Sequence, residues 1–183
     1  MPTAEEIATQ AEGLKAGYLG LNLALVPLLD PRLPLLAVQR EHYGMPASAP
    51  VEVMRDDGSM HSSTTIEQVF RQAAALPNAG FQEGILNIGI ISGATALGDA
   101  LKQAGLGWST DPLLQFARHL RNACAHGNRW HFLQGEPKQR AALRGRELNA
   151  SLHGSPAVMD WLGPGDYLDY LDDLAALLKS GSV

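Results

Sequence analysis

Apolar residues recur at every third or fourth position in several segments of the chain, which is the spacing of one face of an α-helix. The first such stripe follows a capping box formed by Thr3 and Glu6, and the helix is predicted to end at Pro27. Its members are Ile7, Leu14, Tyr18, Leu21 and Leu25. A leucine stripe predicts a last helix over about 166–179, with an acidic, solvated opposite face. The pattern therefore predicts a mainly α fold.

The segment at about 79–104 is apolar on nearly all sides, which predicts a central and buried helix. Four of its glycines permit the close approach of another helix. They are Gly80, Gly84, Gly89 and Gly93. Two interpretations remain open, namely tight packing within one bundle and a close contact between two copies of the chain. Weaker patterns predict a short helix at 31–43 and another that opens at a Thr64/Glu67 capping box.

Two segments break the helical pattern and are predicted to form arms on a single domain that covers 1–183. Residues 44–62 are rich in Pro, Ser, Gly and Asp, and they suggest a loop or a small β-hairpin that turns at 56–58. Residues 129–133 alternate apolar and polar side chains, and 142–152 is also strand-like, so 129–152 is predicted to form a two-stranded arm. The fold class is thus a helical bundle with a small hairpin or loop insertion.

Composition narrows the class of protein. A chain of 183 residues with 45% hydrophobic content suits one globular domain, and one cysteine gives no disulfide framework. The acidic N-terminus lacks an apolar signal core, and polar residues interrupt the longest apolar run, at about 85–101. Cysteine and histidine show no metal-site spacing. We therefore expect a cytoplasmic protein with no membrane association, no metal and no cofactor.

Charge is distributed unevenly along the chain. The net charge is −5, yet residues 111–149 carry +4 against −9 in the remainder. A basic stretch suits a phosphate-bearing partner. Five residues in or beside the second arm are therefore predicted to bind RNA, with Trp130 or His131 stacking on a base. They are Arg129, Trp130, His131, Arg144 and Arg146. The alternatives are a structural flap and a basic surface that pairs with acidic residues elsewhere.

The basic stretch begins with a well-marked helix. Thr110 is predicted to cap it, with Asp111 and Pro112 in its first turn, and Gly127 supplies a left-handed stop. Its core stripe contains Leu113, Phe116, Ala117, Leu120 and Cys124. The helical repeat places three polar residues on another face, with Arg118 and Arg121 beside them. They are His119, Asn122 and His126.

These side chains suit phosphodiester cleavage without a metal. Histidine titrates near neutral pH and serves as general acid or base, while an arginine fork stabilises charge on phosphate oxygens. We predict that His126 is the acid–base group, that Arg121 binds the phosphate and that Asn122 orients His126 or the phosphate, with His119 and Arg118 as supporting groups. The plainer interpretation is that His126 is favoured by the negative end of the helix dipole. Cys124 falls on the apolar side and is expected to be a small buried hydrophobe.

The motif Arg121-Asn122-x-x-x-His126 at the end of a helix resembles that of the HEPN superfamily. The resemblance implies an all-helical bundle that forms a homodimer with a composite active site. It also implies metal-independent RNA cleavage in a toxin–antitoxin or antiviral defence setting, where an antitoxin or a defence complex is a further partner. The expected reaction is attack of a ribose 2′-hydroxyl on phosphorus, which leaves a 2′,3′-cyclic phosphate. The protein would then be an endoribonuclease, a phosphodiesterase of the hydrolase class.

Two other classes of function remain open. The chain fits a catalytically inactive HEPN-like module that binds nucleotides or RNA, or that serves as a scaffold in a larger complex. It also fits a helical dimer in which Arg121 and His126 only stabilise the interface. An electrostatic RNA site weakens as salt concentration rises, whereas an interface role leaves RNA unbound at any salt concentration.

Overall fold

The computed structural model describes residues 1–29, 41–42, 44, 46, 48–65, 67–68, 78–133 and 137–181. The chain divides into two compact units. The larger unit contains Met1–Leu19 and Ile85–Val183, and the smaller contains Gly20–Gly84. Over the described residues the structure is mainly helical with two-stranded antiparallel hairpins, as the hydrophobic pattern predicted.

The smaller unit contains a β-hairpin of strands β1 (Pro50–Met54) and β2 (Met60–Thr65). The backbone N–H of Arg55 donates to the carbonyl of Ser59 at 2.7 Å and closes the turn. The carboxylate of Asp57 accepts from the backbone N–H of Ser59 at 2.8 Å, and hydrogen bonds from Ser59 lower the pKa of Asp57. The hairpin predicted from the turn residues is therefore present.

The second strand of this hairpin runs further than the sequence suggested. The reciprocal capping contacts join Thr65 and Gln68, whose backbone N–H donates to Thr65 Oγ1 at 3.2 Å. The predicted Thr64/Glu67 capping box is therefore wrong by one residue, since the next pair along the chain makes the reciprocal contacts. Of the short helix predicted at 31–43, residues 41–42 are helical and the rest lie outside the described residues, as do 69–77.

Helix α1 (Ala4–Leu29) begins at the predicted capping box. The backbone N–H of Thr3 donates to Glu6 Oε2 at 2.8 Å, and that of Glu6 donates to Thr3 Oγ1 at 3.2 Å. The predicted end at Pro27 is wrong, since helical geometry continues to Leu29. A proline removes one backbone donor and disfavours helix at the preceding residue without forbidding it.

Helix α2 (Asn78–Gln103) confirms the central helix, but it is not buried on all sides. Ile90 and Leu97 are buried, whereas Ile88 is 66% exposed. A Cβ atom added at Gly93 would lie 2.0 Å from the hydroxyl oxygen of Tyr167 in the same chain. At this position the close approach therefore supports tight packing within one bundle rather than a contact between two copies.

The remaining elements of the larger unit surround an aromatic core. They are a 3-10 helix (Leu106–Trp108), helix α3 (Pro112–Ala125), strands β3 (Ala142–Leu143) and β4 (Arg146–Glu147), a second 3-10 helix (Ala150–Leu152) and helix α4 (Pro164–Ser180). The ring of Phe116 lies 5.3 Å from that of Trp161, 5.6 Å from that of Tyr170 and 6.3 Å from that of Trp130, measured between centroids. This cluster fixes the core side of helix α3.

The two strands predicted for the arm at 129–152 do not pair with each other. Strand β3 pairs instead with β4 across the two-residue turn Arg144–Gly145, and the backbone of Trp130 bonds to Gly154 and Ser155. Trp130 is 1% exposed and Phe132 is also buried. The alternation at 129–133 therefore marks an extended segment laid on the core, and its period matches that of a strand because both are extended.

No helix within the described ranges combines the length and the apolar character that crossing a bilayer requires.

Candidate active site

Helix α3 carries the predicted motif, and its start is fixed by Asp111. The Asp111 carboxylate accepts hydrogen bonds from the backbone N–H groups of Leu113 and Leu114, at 2.8 and 3.2 Å. The prediction that Thr110 caps the helix is wrong. Pro112 restricts the residue before it to extended backbone, which is the geometry of an N-cap, so Asp111 takes that position.

The end of helix α3 was predicted correctly. His126 is the C-cap residue, and Gly127 follows with a φ of +72°, the left-handed conformation that ends many helices. The backbone N–H of Arg129 donates to the carbonyl of Ala123 at 3.1 Å. The Asn128 amide exchanges two hydrogen bonds with the backbone of Val158. This turn leads the chain into the extended segment that contains His131.

Three histidines lie together beside this turn, and we call them the histidine cluster. The imidazole rings of His126 and His131 are stacked, with centroids 4.4 Å apart and an interplanar angle of 27°. The ring of His153 lies 5.7 Å from that of His131. Nδ1 of His153 accepts a hydrogen bond from the backbone N–H of Phe132 at 3.1 Å, which orients this ring. His126 is exposed and His131 is half-buried, so both rings belong to an accessible site.

The sequence does not indicate that these histidines lie together. From the sequence, His126 is predicted to act in catalysis and His131 to bind RNA, and His153 has no predicted role. His153 follows Arg146 by seven residues but lies outside a helix, so the helical spacing that selected Arg121 and His126 does not select His153. Their proximity depends on the fold, since the 3-10 helix Ala150–Leu152 brings His153 to the extended segment.

His119 does not join the exposed site as predicted. It is 1% exposed, and its ring contacts that of Phe132 edge-on at 5.3 Å. The helical repeat does place His119 on one face with Asn122 and His126. That face is covered at His119 because Phe132 packs against it, so His119 belongs to the core.

Arg121 is held at the side of helix α2. Its Nε and a terminal nitrogen each lie 2.8 Å from Oδ1 of Asp99, and its side chain is one-third exposed. A Cβ atom added at Gly98 would lie 2.4 Å from Cβ of Arg121, so the two helices are in close contact here. This glycine positions the predicted phosphate-binding arginine.

Arg121 and Asn122 also line a pocket of about 220 Å³, which we call the Trp108 pocket. Its lining residues are Gly98, Leu101, Lys102, Gly107, Trp108, Leu114, Arg118, Arg121 and Asn122. Arg118, predicted as a supporting group, lies in this pocket with its guanidinium carbon 6.0 Å from the Trp108 ring centroid. The structure thus brings Arg118, Arg121 and Asn122 together, whereas His126 does not line this pocket and belongs to the histidine cluster.

The residues predicted to bind RNA on an arm are differently placed. Trp130 is in the core and does not present a face to a base. Arg129 is exposed and donates to the carbonyl of Gly154 at 2.7 Å. Arg144 lies 2.7 Å from a carboxylate oxygen of Asp169 and 2.8 Å from one of Asp173. The prediction of an RNA-binding arm is therefore wrong for Trp130, and it is weakened for Arg144 by these ion pairs.

The acidic face of helix α4 supplies these partners. Asp166 pairs with Arg146 at 3.0 Å, and Asp172 pairs with Lys15 at 2.6 Å. The Arg146 guanidinium also lies 4.1 Å from the centroid of the Trp161 ring. The expectation of a purely solvated acidic face is wrong, and the alternative in which basic and acidic surfaces pair describes this region.

Cys124 is buried, and burial raises the pKa of its thiol to about 12. A thiol that stays protonated at neutral pH is a poor nucleophile, so the expectation of a small buried hydrophobe is confirmed. Within the described residues, histidine, cysteine and carboxylate groups form no set of three arranged to hold a metal ion. The described residues thus present exposed imidazole rings in the histidine cluster and cationic side chains in the Trp108 pocket.

Comparison of the chain with protein-family models, with curated proteins and with solved structures gave no match.

Proposed function

We propose that this protein is a metal-independent endoribonuclease of the HEPN type, with a role in a toxin–antitoxin or antiviral defence system. The observation that carries the proposal is the stacked pair His126 and His131 at the end of the helix that bears Arg121 and Asn122. General acid–base cleavage of RNA needs two proton-transfer groups, and this pair supplies two imidazoles within one chain.

The proposed reaction proceeds in one displacement. A neutral imidazole of the pair removes the proton of the ribose 2′-hydroxyl, and the oxygen attacks the adjacent phosphorus. The bond from phosphorus to the 5′-oxygen breaks, and a protonated imidazole gives its proton to that oxygen. The products are a 2′,3′-cyclic phosphate and a 5′-hydroxyl. His126 and His131 take these two roles, and the buried His119, predicted as a supporting group, takes neither.

Arg121 is proposed to stabilise the phosphate. Its guanidinium has five N–H donors, so the contact with Asp99 leaves donors for phosphate oxygens. Arg121 and His126 are five residues apart, about 7.5 Å along the helix axis. A homodimer with a composite site, which the HEPN resemblance implies, would bring a second copy of the motif into the same cleft. We include that homodimer in the proposal.

The proposal is tested by cleavage of end-labelled RNA in excess EDTA. We expect wild-type protein to cleave and His126→Ala, His131→Ala and Arg121→Ala each to lose about 100-fold or more of the rate. His61→Ala and Arg55→Ala are matched controls, because they remove an exposed histidine and an arginine from the hairpin of the smaller unit. Equal activity in all variants would contradict the proposed site.

A second candidate is a module that binds RNA or nucleotides without cleaving them. The observation that favours it is the Arg121–Asp99 ion pair, which already uses some of the N–H donors of the Arg121 guanidinium. Its signature would be salt-dependent RNA binding by wild-type protein that yields no cleavage product from single-stranded RNA or from whole tRNA. An antitoxin or a defence complex then becomes the partner to identify.

A further inference from the structure

Trp108 is an exposed aromatic residue to which the sequence analysis gave no role. Its side chain is 79% exposed at the end of the 3-10 helix Leu106–Trp108. Gly105 precedes this helix with a φ of +79°, and the backbone N–H of Ser109 donates to the carbonyl of Leu106 at 3.1 Å. A large apolar ring is thus held in solvent by a well-defined turn. Its exposed face is available for a planar ligand to stack on.

The surroundings of Trp108 combine cations with an apolar surface. Lys102, Arg118 and Arg121 line the pocket together with Leu101 and Leu114. The volume of about 220 Å³ is below the range typical of a whole drug-sized ligand, so the pocket suits a single ring system with its polar substituents. A planar base with an attached phosphate matches this arrangement, because the ring stacks on indole and the phosphate contacts the cations.

We propose that the Trp108 pocket binds one nucleotide of a single-stranded RNA. The base stacks on the Trp108 indole, and Lys102 and Arg118 hold the neighbouring phosphate. The inference rests on the proposed function for the identity of the ligand, since the ribonuclease substrate supplies the nucleotide. Because Arg121 and Asn122 line the same pocket, the bound base lies beside the residues proposed to act on the scissile phosphate. The pocket would therefore select single-stranded sites.

The first test measures binding of a fluorescently labelled, short single-stranded RNA by anisotropy, in EDTA and with the 2′-hydroxyls methylated to block cleavage. Trp108→Ala is expected to weaken binding about tenfold or more, whereas Trp108→Phe retains most of the affinity. Met54→Ala, which truncates an exposed apolar side chain of strand β1, is the matched control and is expected to bind like the wild type.

Competition identifies what the pocket recognises. Nucleoside monophosphates are expected to displace the labelled RNA at much lower concentration than inorganic phosphate. Wild-type affinity in Trp108→Ala, or equal competition by inorganic phosphate or by poly-glutamate, would overturn the inference, because cations rather than stacking would then explain binding.

Cleavage kinetics separate this inference from the proposed function. With unmodified RNA, Trp108→Ala is expected to raise KM by a larger factor than it lowers kcat, whereas His126→Ala lowers kcat. Cleavage by the wild type together with an unchanged KM in Trp108→Ala would contradict the nucleotide pocket and support the ribonuclease activity. Trp108-dependent nucleotide binding without any cleavage would support the pocket and contradict the ribonuclease activity.

Discussion

Two basic regions of the larger unit differ in the surroundings of their charged side chains. Around strands β3 and β4, which we call the hairpin cluster, the three arginines face carboxylates at 2.6 to 3.0 Å. They are Arg140, Arg144 and Arg146. In the Trp108 pocket, Lys102, Arg118 and Arg121 line an apolar surface, and Arg121 is paired with Asp99.

A basic stretch of sequence therefore does not by itself form a basic surface. The hairpin cluster and helix α3 belong to the same positively charged segment, but helix α4 brings its acidic residues to the hairpin cluster. The carboxylates that pair with Arg144 and Arg146 come from an element distant in sequence. We propose that RNA binds at the pocket and that the hairpin cluster has a structural role. Charge reversal, the Arg144 variants and Asp99→Asn test that separation.

The largest effect is expected from reversing the charge of the pocket. Each phosphate contact with a single strand contributes a salt slope of about −0.7, which corresponds to about fivefold in affinity at 0.1 M salt. Lys102→Glu combined with Arg118→Glu should therefore weaken RNA binding about 25-fold or more and reduce the salt slope by about 1.4. Lys138→Glu with Arg140→Glu makes the same change in net charge near the hairpin cluster. An equal loss of RNA affinity in both double variants would contradict the separation of the two regions.

The next effect concerns the core side of helix α3, where burial raises the pKa of Cys124 from its ordinary 9.0 to about 12. The unfolded chain loses this proton first, so the stabilisation is complete below about pH 9 and is lost as pH rises toward 12. By about pH 10 the free energy of unfolding should fall by about 1 kcal/mol.

Urea unfolding between neutral pH and about pH 10 measures this loss, with Cys124→Ala as the control that lacks the thiol. Burial also raises the pKa of Tyr167 and of Tyr170, so some decline at high pH should persist in the control. A decline of equal slope in both proteins would show that Cys124 does not contribute. A thiol reagent at neutral pH should likewise modify Cys124 only after denaturant is added.

A smaller effect is expected at the turn of the hairpin cluster. Arg144 has a φ of +48° and Gly145 a φ of +81°, the signs that a type I′ turn requires and that asparagine tolerates better than most residues. Arg144 also pairs with Asp169 and Asp173, which raise its pKa. Arg144→Asn loses the ion pairs but relaxes the backbone, whereas Arg144→Ala loses the pairs and keeps the strain.

Comparison of the urea midpoints tests this assignment. Arg144→Ala should have the lower midpoint, and RNA affinity should be unchanged in both variants. Weaker RNA binding by a fully folded Arg144→Asn would instead indicate that Arg144 contributes to RNA binding.

The smallest effect is expected from Asp99→Asn. Removing this carboxylate leaves Arg121 free to contact phosphate and raises the local positive charge, so RNA affinity should increase about twofold to fivefold. Because the pair is partly exposed, the free energy of unfolding should fall by about 1 kcal/mol or less. Asp160→Asn, a change at another exposed carboxylate, is the matched control. Weaker RNA binding in Asp99→Asn would mean that Asp99 positions Arg121 for the ligand.

Local signals in the sequence predicted the elements well. Pro112 and Gly127 delimit helix α3 because proline and glycine act on the adjacent backbone, and the turn at 56–58 located the first hairpin for the same reason. The candidate site was predicted less completely. Arg121, Asn122 and His126 were selected from one helix, and the structure places the first two in a pocket and the third in a different cluster.

The parts that were missed depend on tertiary contacts. His119 has the right helical phase for an exposed site, but Phe132, thirteen residues later, covers it. The alternation around Trp130 has the period of a strand, and only packing shows that it is an extended core segment. His153 reaches His131 through a loop that no spacing rule describes. In each case the deciding neighbour belongs to another segment of the chain, so the helical or strand repeat cannot indicate it.

The proposed function depends most on attack of the ribose 2′-oxygen on the adjacent phosphorus at the histidine cluster. The most direct measurement uses an RNA with one mapped cleavage site and a second RNA that carries a single 2′-deoxynucleotide at that site, both in excess EDTA. We predict that wild-type protein leaves a 2′,3′-cyclic phosphate on the first RNA, identified by mass spectrometry, and does not cut the second at the deoxy position. Cleavage at the deoxy position, or product formation that persists in His126→Ala combined with His131→Ala, would contradict the account.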